Sequence, residues 1–295
     1  MDVVTLEVSV ILPVSDAHAL PPAAIASIGE DPGLEILVID GGSGGDSDGA
    51  PEWLLAAARR DPRLRLVPGP ARGLNAQRNL GVAEAEAPLV AFLDPDQRWA
   101  PGKLALQLAL HRIHPELGFS FAARAGRGAA RTGSGAAEAD RATRLLGADA
   151  LPQIFTREPI ELSTVVARTA LLRAVGGFTE DAGEAAPWDL WLHLAQCAPV
   201  GWLAQPLAEG PLAPRGPRRL AAERRVAHLW HRVVAGIDPA AADAGLARLL
   251  ADSAAAAQAE GETWAALRFR LDRLLLRARL GLAAPRSTQA ASGGG

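Results

Sequence analysis

A chain of 295 residues can bury a substantial core, as one large domain or as one domain with an appendage. Its 30 Lys and Arg against 33 Asp and Glu leave a formal net charge of -3, so no basic excess points to nucleic acid. The single cysteine, Cys197, excludes an intramolecular disulfide and any cysteine-rich zinc site; it fits a reducing compartment and reads as a small buried side chain.

The N-terminal stretch MDVVTLEVSVILPV has no Lys or Arg before its apolar run and carries Asp2 and Glu7, unlike a secretory signal. No apolar run reaches the length that spans a bilayer, so the expectation is a soluble, cytoplasmic protein. Val8 to Val14, short and rich in β-branched residues, predicts a buried strand. A short helix follows over Leu20 to Ile28, with Pro21 and Pro22 tolerated only in its first turn. Leu34 to Ile39 (LEILVI) is a second buried strand that stops at Asp40, before GGSGGDSDG. Pro51 to Arg60 reads as a helix with proline in its first turn and Asp48 as a possible cap.

Leu64 to Val67 is a third strand, Asn75 to Ala85 a helix, Leu89 to Leu93 a fourth strand and Lys103 to Arg112 a helix. Strands alternating with helices at this spacing imply crossover units and a mostly parallel sheet with helices on both faces. Ligands of such sheets bind at the carboxyl ends of the strands, where Asp40, Asp94 and Asp96 fall. Gly126 to Ala139 (GRGAARTGSGAAEA) reads as a mobile loop more than a phosphate cradle. A strand is expected over Ile160 to Ala167 and a helix over Pro187 to Gln196. Domain boundaries are placed at 1–210 for the α/β part and 211–219 for a Pro- and Arg-rich linker. A helical extension over 220–282 (Leu220 to Ala235, Ala240 to Gln258, Thr263 to Leu280) and a disordered tail over 283–295 complete the chain.

The stretch VAFLDPDQRW, Val90 to Trp99, runs from an apolar strand into two aspartates. Asp and Pro are ordinary turn formers, so a solvated turn is one reading. The other is a cation site. In an extended strand, residues two apart point the same way, and the paired oxygens of Asp94 and Asp96 suit Mg²⁺ or Mn²⁺ completed by water and a nucleotide diphosphate. Alone, Asp-x-Asp is weak.

Its company is more specific. VSVILPVSDAHALPPAAIASI, LEILVIDGGSGGDS, RNLGVAEAEAPLVAFLDPDQRWAPGKLALQLAL and STVVARTALLRAVGGFTEDAGEAAPWDLWLHLAQ occur in the order, and near the spacings, of family 2 glycosyltransferases. The chain resembles that family over roughly Val8 to Ala204. The resemblance implies an α/β fold of the GT-A type, with a mostly parallel central sheet flanked by helices and, here, a C-terminal helical extension. It implies a nucleotide-diphosphate sugar as donor, with Asp40 near the nucleoside, Arg78 of RNLG near the nucleotide, and Asp94 and Asp96 holding the divalent metal. It also implies inverting transfer, with a carboxylate base taking the proton of an acceptor hydroxyl.

The departures from the family pattern lie where chemistry is expected. The run Trp188 to Trp191 (WDLW) is present, but the two positions before it are Ala186 and Pro187, and proline cannot accept a proton. Gly41 stands where a second acid of the nucleotide turn is usual, Ser15 where an aromatic is frequent, and Gln97 where a further Asp is common. The signature of processive synthases is absent. Glu184 and Asp189 are the nearby acids that could serve as base. Asp189 can equally be an N-terminal helix acid, with His193 one turn on as a half-buried histidine. The combined losses keep a second reading open: a GT-A-like binding or scaffold module without catalysis.

Positive charge collects in the C-terminal segment at Arg218, Arg219, Arg224, Arg225 and Arg232, then Arg268, Arg270, Arg273, Arg277 and Arg279, beside Trp230, Trp264 and Phe269. Such helices can lie on an anionic membrane, form the solvated face of a helical hairpin, or present a protein-binding surface. The acceptor, whether glycan, lipid-linked or small molecule, is not legible in the sequence.

Overall fold

The apolar runs fold as strands. In the computed structural model, which describes residues 5–15, 20–31, 33–42, 50–125, 143–156, 160–211 and 215–279, β1 (Val8–Val14) and β2 (Leu34–Asp40) are buried at every position. β1 lies parallel to β2 and to β4 (Leu89–Phe92), and β2 is parallel to β3 (Leu64–Pro68). One face of this half-sheet, carrying Val10, Leu12, Ile36 and Val38, packs on α1 (Pro22–Ala26) and α2 (Glu52–Arg60) through Ala24 and Leu54. The other face meets α3 (Leu74–Glu84). There a Cβ at Gly81 would come within 2.5 Å of Ile11, so only glycine lets that helix settle.

The second half of the sheet is mixed. β8 (Val165–Arg168) runs antiparallel to both β4 and β6 (Phe119–Arg124). β9 (Val200–Glu209) is parallel to β6 and antiparallel to β5 (Arg98–Trp99) and β7 (Thr143–Leu146). Among the described residues the order is β3-β2-β1-β4-β8-β6-β9-β5, with β7 also on β9. Around it lie α4 (Lys103–Ile113), α5 (Ala150–Thr156), α6 (Thr169–Ala174) and α7 (Ala186–Cys197).

This half is where the expected elements shift. The strand expected over Ile160 to Ala167 opens as a 3-10 turn, Leu162–Thr164, and only Val165–Arg168 joins the ladder. β9 holds Gly201 and Pro206, residues that argue against an interior strand. Pro206 sits where the register with β6 jumps, opposite Ala123, so its missing N–H falls at an irregularity of the ladder. At Gly201 a Cβ would meet Leu110 of α4 at 2.8 Å, so the glycine admits that helix. Cys197 is exposed, not buried: it closes α7, one turn beyond Leu194, the last fully buried leucine of that helix.

The chain divides into two compact units, Met1–Pro214 and Arg215–Gly295. The second consists, in its described residues, of α8 (Pro217–Ala235), α9 (Pro239–Ala259) and α10 (Thr263–Arg279), with α9 packed against both others. α8 starts at Pro217, three residues before the expected Leu220, because proline suits the first helical turn. Asp238 caps α9 by accepting from the Ala241 N–H at 3.0 Å. The expected glycine-rich loop at 126–139 and the tail at 283–295 lie outside the described residues.

One buried charge stands out. Lys103 opens α4 with its side chain fully enclosed, Nζ 4.2 Å from the centre of the Trp99 ring and without a hydrogen-bond acceptor. Burial lowers its pKa to about 7 from 10.5. Between those values the unfolded chain binds the extra proton, so stability rises with pH across that window and is lowest below it, where the ammonium stays charged and enclosed. Lys103→Met is expected to flatten this rise and to stabilise the protein at neutral pH by about 1 to 3 kcal/mol. Urea unfolding followed at several pH values between about 6.5 and 9.5 measures both effects.

Candidate functional site

The carboxyl ends of β2, β1 and β4 open on one edge of the sheet. Asp40, the last residue of β2, is buried and accepts the Gly42 N–H at 3.0 Å, which shapes the start of the glycine-rich turn. Gly41 is not a simple loss of a side chain. A Cβ there would lie 1.8 Å from Nε2 of Gln77 on α3, and that amide donates to the Pro70 carbonyl at 3.2 Å. The carboxamide of Gln77 fills the space that a side chain at 41 would need.

Beyond β4 the chain leaves the extended conformation at once. The Gln97 N–H donates to the Asp94 carbonyl at 3.0 Å, closing a β-turn over Asp94 to Gln97 with Pro95 in its first central position. The expectation that strand alternation aligns Asp94 and Asp96 is thus corrected: a turn, not a strand, brings both carboxylates to this edge. The Asp94 N–H is held by Ser163 Oγ at 2.9 Å, and the Ser163 carbonyl accepts from Trp99 Nε1 at 2.8 Å. Gly210, with φ 139°, lets β9 close in on the turn, since a Cβ there would meet the Asp96 carbonyl at 2.8 Å. Arg124, at the end of β6, donates to the Gly210 carbonyl from the same side. Asp96 is exposed, yet its carboxyl pKa is raised, first by partial desolvation and then by the negative charge of Asp94, with Arg124 pulling the other way.

α3 ties this turn to the second half of the unit. Helical spacing puts Asn75, Arg78, Asn79 and Val82 on one face. The buried Arg78 donates to Asp94 Oδ1 and to Asn75 Oδ1, both at 3.0 Å, and its guanidinium lies 5.6 Å from the centre of the Phe178 ring. Asn79 clamps the backbone of Phe178 twice, donating to its carbonyl at 2.9 Å and accepting its N–H at 2.7 Å. Gly176 and Gly177, at φ 86° and 71°, make the turn that presents Phe178. Asn75 Nδ2 reaches the Gly183 carbonyl at 2.9 Å, and Arg72 lies 3.7 Å from Glu180. A chain of polar contacts therefore runs from Asp94 through Arg78 and Asn75 to the 3-10 segment Glu180–Ala185.

The two candidate bases part company here. Glu184 is exposed on that segment, next to the Gly183 carbonyl that Asn75 holds. Asp189 is buried on α7, accepts from Thr179 Oγ1 at 2.7 Å and has His193 Nδ1 3.8 Å from its other oxygen. Its carboxylate fixes the start of the segment. Trp188 and Trp191 are core residues, their indole N–H groups donating to the Ile154 and Ile160 carbonyls at 3.3 Å each. The structure thus brings Arg78, Asp94 and Asp96 together with the segment bearing Glu184, sets Asp40 on the same sheet edge, and gives Asp189 to Thr179. Asn75, Asn79, Gln77 and Ser163 were not singled out in the sequence. Only the i, i+3, i+4 spacing of Asn75, Arg78 and Asn79 on a helix signalled any of them.

Residues 9–147 match the glycosyl transferase family 2 model. That match covers a little under half of the chain and lies within the first unit. Uncharacterized glycosyltransferases of Rickettsia conorii and Rickettsia felis are each 27% identical over 205 residues, which is 69% of this chain and 32% of theirs. The chain thus spans about a third of the length of those relatives. Among solved structures, TarS of S. aureus (residues 1–349) superposes with a TM-score of 0.60 at 19% identity, covering 83% of this chain and 71% of that one. Mannosyltransferase PcManGT from Pyrobaculum calidifontis, in complex with GDP-Man and Mn²⁺, gives 0.60 at 19% identity over 94% and 84% of the two chains. These likenesses establish the GT-A fold. The family 2 match ends before WDLW, so the second half of the site rests on the geometry above.

The metal implied by the family can be tested against the donors present. Among the described residues no group of three or more His, Cys, Asp or Glu side chains is placed to hold a metal. Asp94 and Asp96 remain, hard oxygen donors on one turn, with Asp96 raised partly by its neighbour's charge. Two carboxylates that repel each other at a ligand edge fit a divalent cation completed by water and diphosphate oxygens.

Proposed function

We propose that the first unit is a non-processive glycosyltransferase that moves a sugar, with inversion, from a nucleoside-diphosphate donor to an acceptor hydroxyl. The observation that carries this reading is the continuous polar frame from Asp94 through Arg78 and Asn75 to Gly183, which ties the carboxylate turn to the segment holding Glu184. UDP, UDP-GlcNAc and GDP-Man are bound by the structural neighbours, and this supports a donor of the same kind.

In this reading Asp40 and the turn after it receive the nucleoside. Asp94 and Asp96 hold Mg²⁺ or Mn²⁺, which when bound offsets the charge of the departing diphosphate. Arg78 keeps the Asp94 carboxylate in place through its 3.0 Å bond, without itself being exposed. Glu184 takes the acceptor proton as the acceptor oxygen bonds to the anomeric carbon, and the bond from that carbon to the diphosphate oxygen breaks on the opposite face. Pro187, in the first turn of α7, cannot do this, and Asp189 is already engaged by Thr179.

Calorimetric titration of UDP, GDP and dTDP, each with Mn²⁺ and with EDTA, tests the proposal. One nucleotide is expected to bind with Mn²⁺ and to lose most of its affinity in EDTA. Absence of binding by all three would overturn it and favour the non-catalytic module, for which Ala186 and Pro187 are the specific evidence.

A further inference from the structure

α10 is amphipathic in the wrong direction for a helix that only packs inward. Ala266 is buried and Phe269 lies beneath Arg224 of α8, with the guanidinium 4.5 Å from the ring centre, so this side faces the other helices. The opposite side carries Trp264 at 85% exposure, Leu267 at 46%, Leu271 at 56%, Leu274 at 59% and Leu275 at 53%. The spacing i, i+3, i+7, i+10, i+11 makes these one stripe about 100° wide. Five large apolar side chains in one exposed row are more than a soluble surface ordinarily leaves uncovered.

The edges of the stripe are cationic. Arg268 flanks it on one side and Arg270 on the other, both exposed, with Arg270 steadied by Gln258 at 3.2 Å; Asp272 lies further round on the Arg268 side. Other arginines of the unit are used internally: Arg215 and Arg219 hold the buried Glu223, and Arg224 bonds Ser253. Among the described residues neither Arg268 nor Arg270 makes such an ion pair, and Arg270 bonds only the neutral amide of Gln258.

We propose that this face of α10 lies on the surface of an anionic phospholipid membrane, leucines and Trp264 entering the acyl boundary and Arg268 and Arg270 meeting lipid phosphates. An apolar stripe edged by arginines is the chemistry of an interfacial helix. No helix among the described residues is long and apolar enough to cross a membrane, so the contact is peripheral. A second copy of the chain is the poorer occupant. Two such faces packed together would set arginine edge against arginine edge, a like-charge arrangement that opposes pairing.

The test needs neither donor nor acceptor and is independent of the sugar-transfer reading. The full chain is floated with vesicles of phosphatidylcholine alone and with about 30% phosphatidylglycerol added. Flotation with the anionic vesicles, weakened by salt, is expected. Leu271→Glu with Leu274→Glu should cut it at least about tenfold, and Arg268→Glu with Arg270→Glu by about fivefold per residue. Both pairs are exposed, and unchanged thermal melting by circular dichroism would confirm that the fold is kept. No flotation with anionic vesicles, or flotation untouched by the leucine pair, would overturn the proposal. So would a concentration-dependent dimer in sedimentation that the leucine pair abolishes, which would assign the face to a second copy.

Discussion

Asp96→Ala is expected to lower Mn²⁺-supported nucleotide affinity by at least about a hundredfold while leaving the protein folded. The turn that carries it is built without its side chain. Gln97 N–H to the Asp94 carbonyl closes it, Ser163 anchors it at Asp94, and Gly210 and Arg124 back it from β9 and β6. Removing one of two mutually repelling carboxylates relieves local charge, and the buried Arg124 that also feels Asp96 keeps its bond to the Gly210 carbonyl. Asp94 is the poorer position for this test, because its loss leaves the buried Arg78 guanidinium without its anion and confounds binding with stability. Titration in Mn²⁺ and in EDTA reads the effect: affinity in EDTA should be the same for wild type and Asp96→Ala, and the difference should appear only with metal. Equal affinity in Mn²⁺ would remove this aspartate from the donor site.

Much of the first half-sheet was legible because parallel strands covered on both faces read as continuous apolar runs. β1, β2 and β4 are of that kind, and their ends fell within a residue or two of the expected places. β5, β6, β7 and β9 were not read. β5 is a two-residue strand, and β9 contains Gly201 and Pro206, which make sense only once its neighbours are known. Glycine serves the packing of α4, and proline serves a register jump. Both are properties of the assembled sheet, not of the local sequence.

The site was legible as a set of acids and not as a set of positions. Asp-Pro-Asp was read both as a turn and as a cation site; the structure shows the turn, which carries both aspartates. Gly41 looked like a missing function, whereas Gln77, from a helix that starts more than thirty residues later, occupies the same volume. No pattern at one position reports a substitution of that sort. In sequence both Glu184, before WDLW, and Asp189, within it, stood as candidate bases, Asp189 with the alternative of an N-terminal helix acid. What separates them is a 2.7 Å hydrogen bond from Thr179 to Asp189 and the exposure of Glu184 beside Gly183.

That separation yields the second large effect. Glu184→Gln is expected to lower the turnover of donor hydrolysis by about 10² to 10⁴, the usual span for loss of a general base, with nucleotide affinity unchanged. Hydrolysis makes water the acceptor, so the measurement needs only the donor whose nucleotide binds, with release of that nucleoside diphosphate as the signal. Asp189→Asn supplies the comparison. An amide oxygen still accepts from Thr179, so the segment Glu180–Ala185 keeps its anchor and turnover should stay within a few-fold of wild type. Glu180 is a neighbouring acid, but it faces Arg72 at 3.7 Å. If Asp189→Asn abolished turnover while Glu184→Gln did not, the buried carboxylate would be the base and the segment would have to open for the acceptor to reach it. If neither changed a measurable rate, the proton would be leaving without help from either acid, as Pro187 at the usual base position would then require.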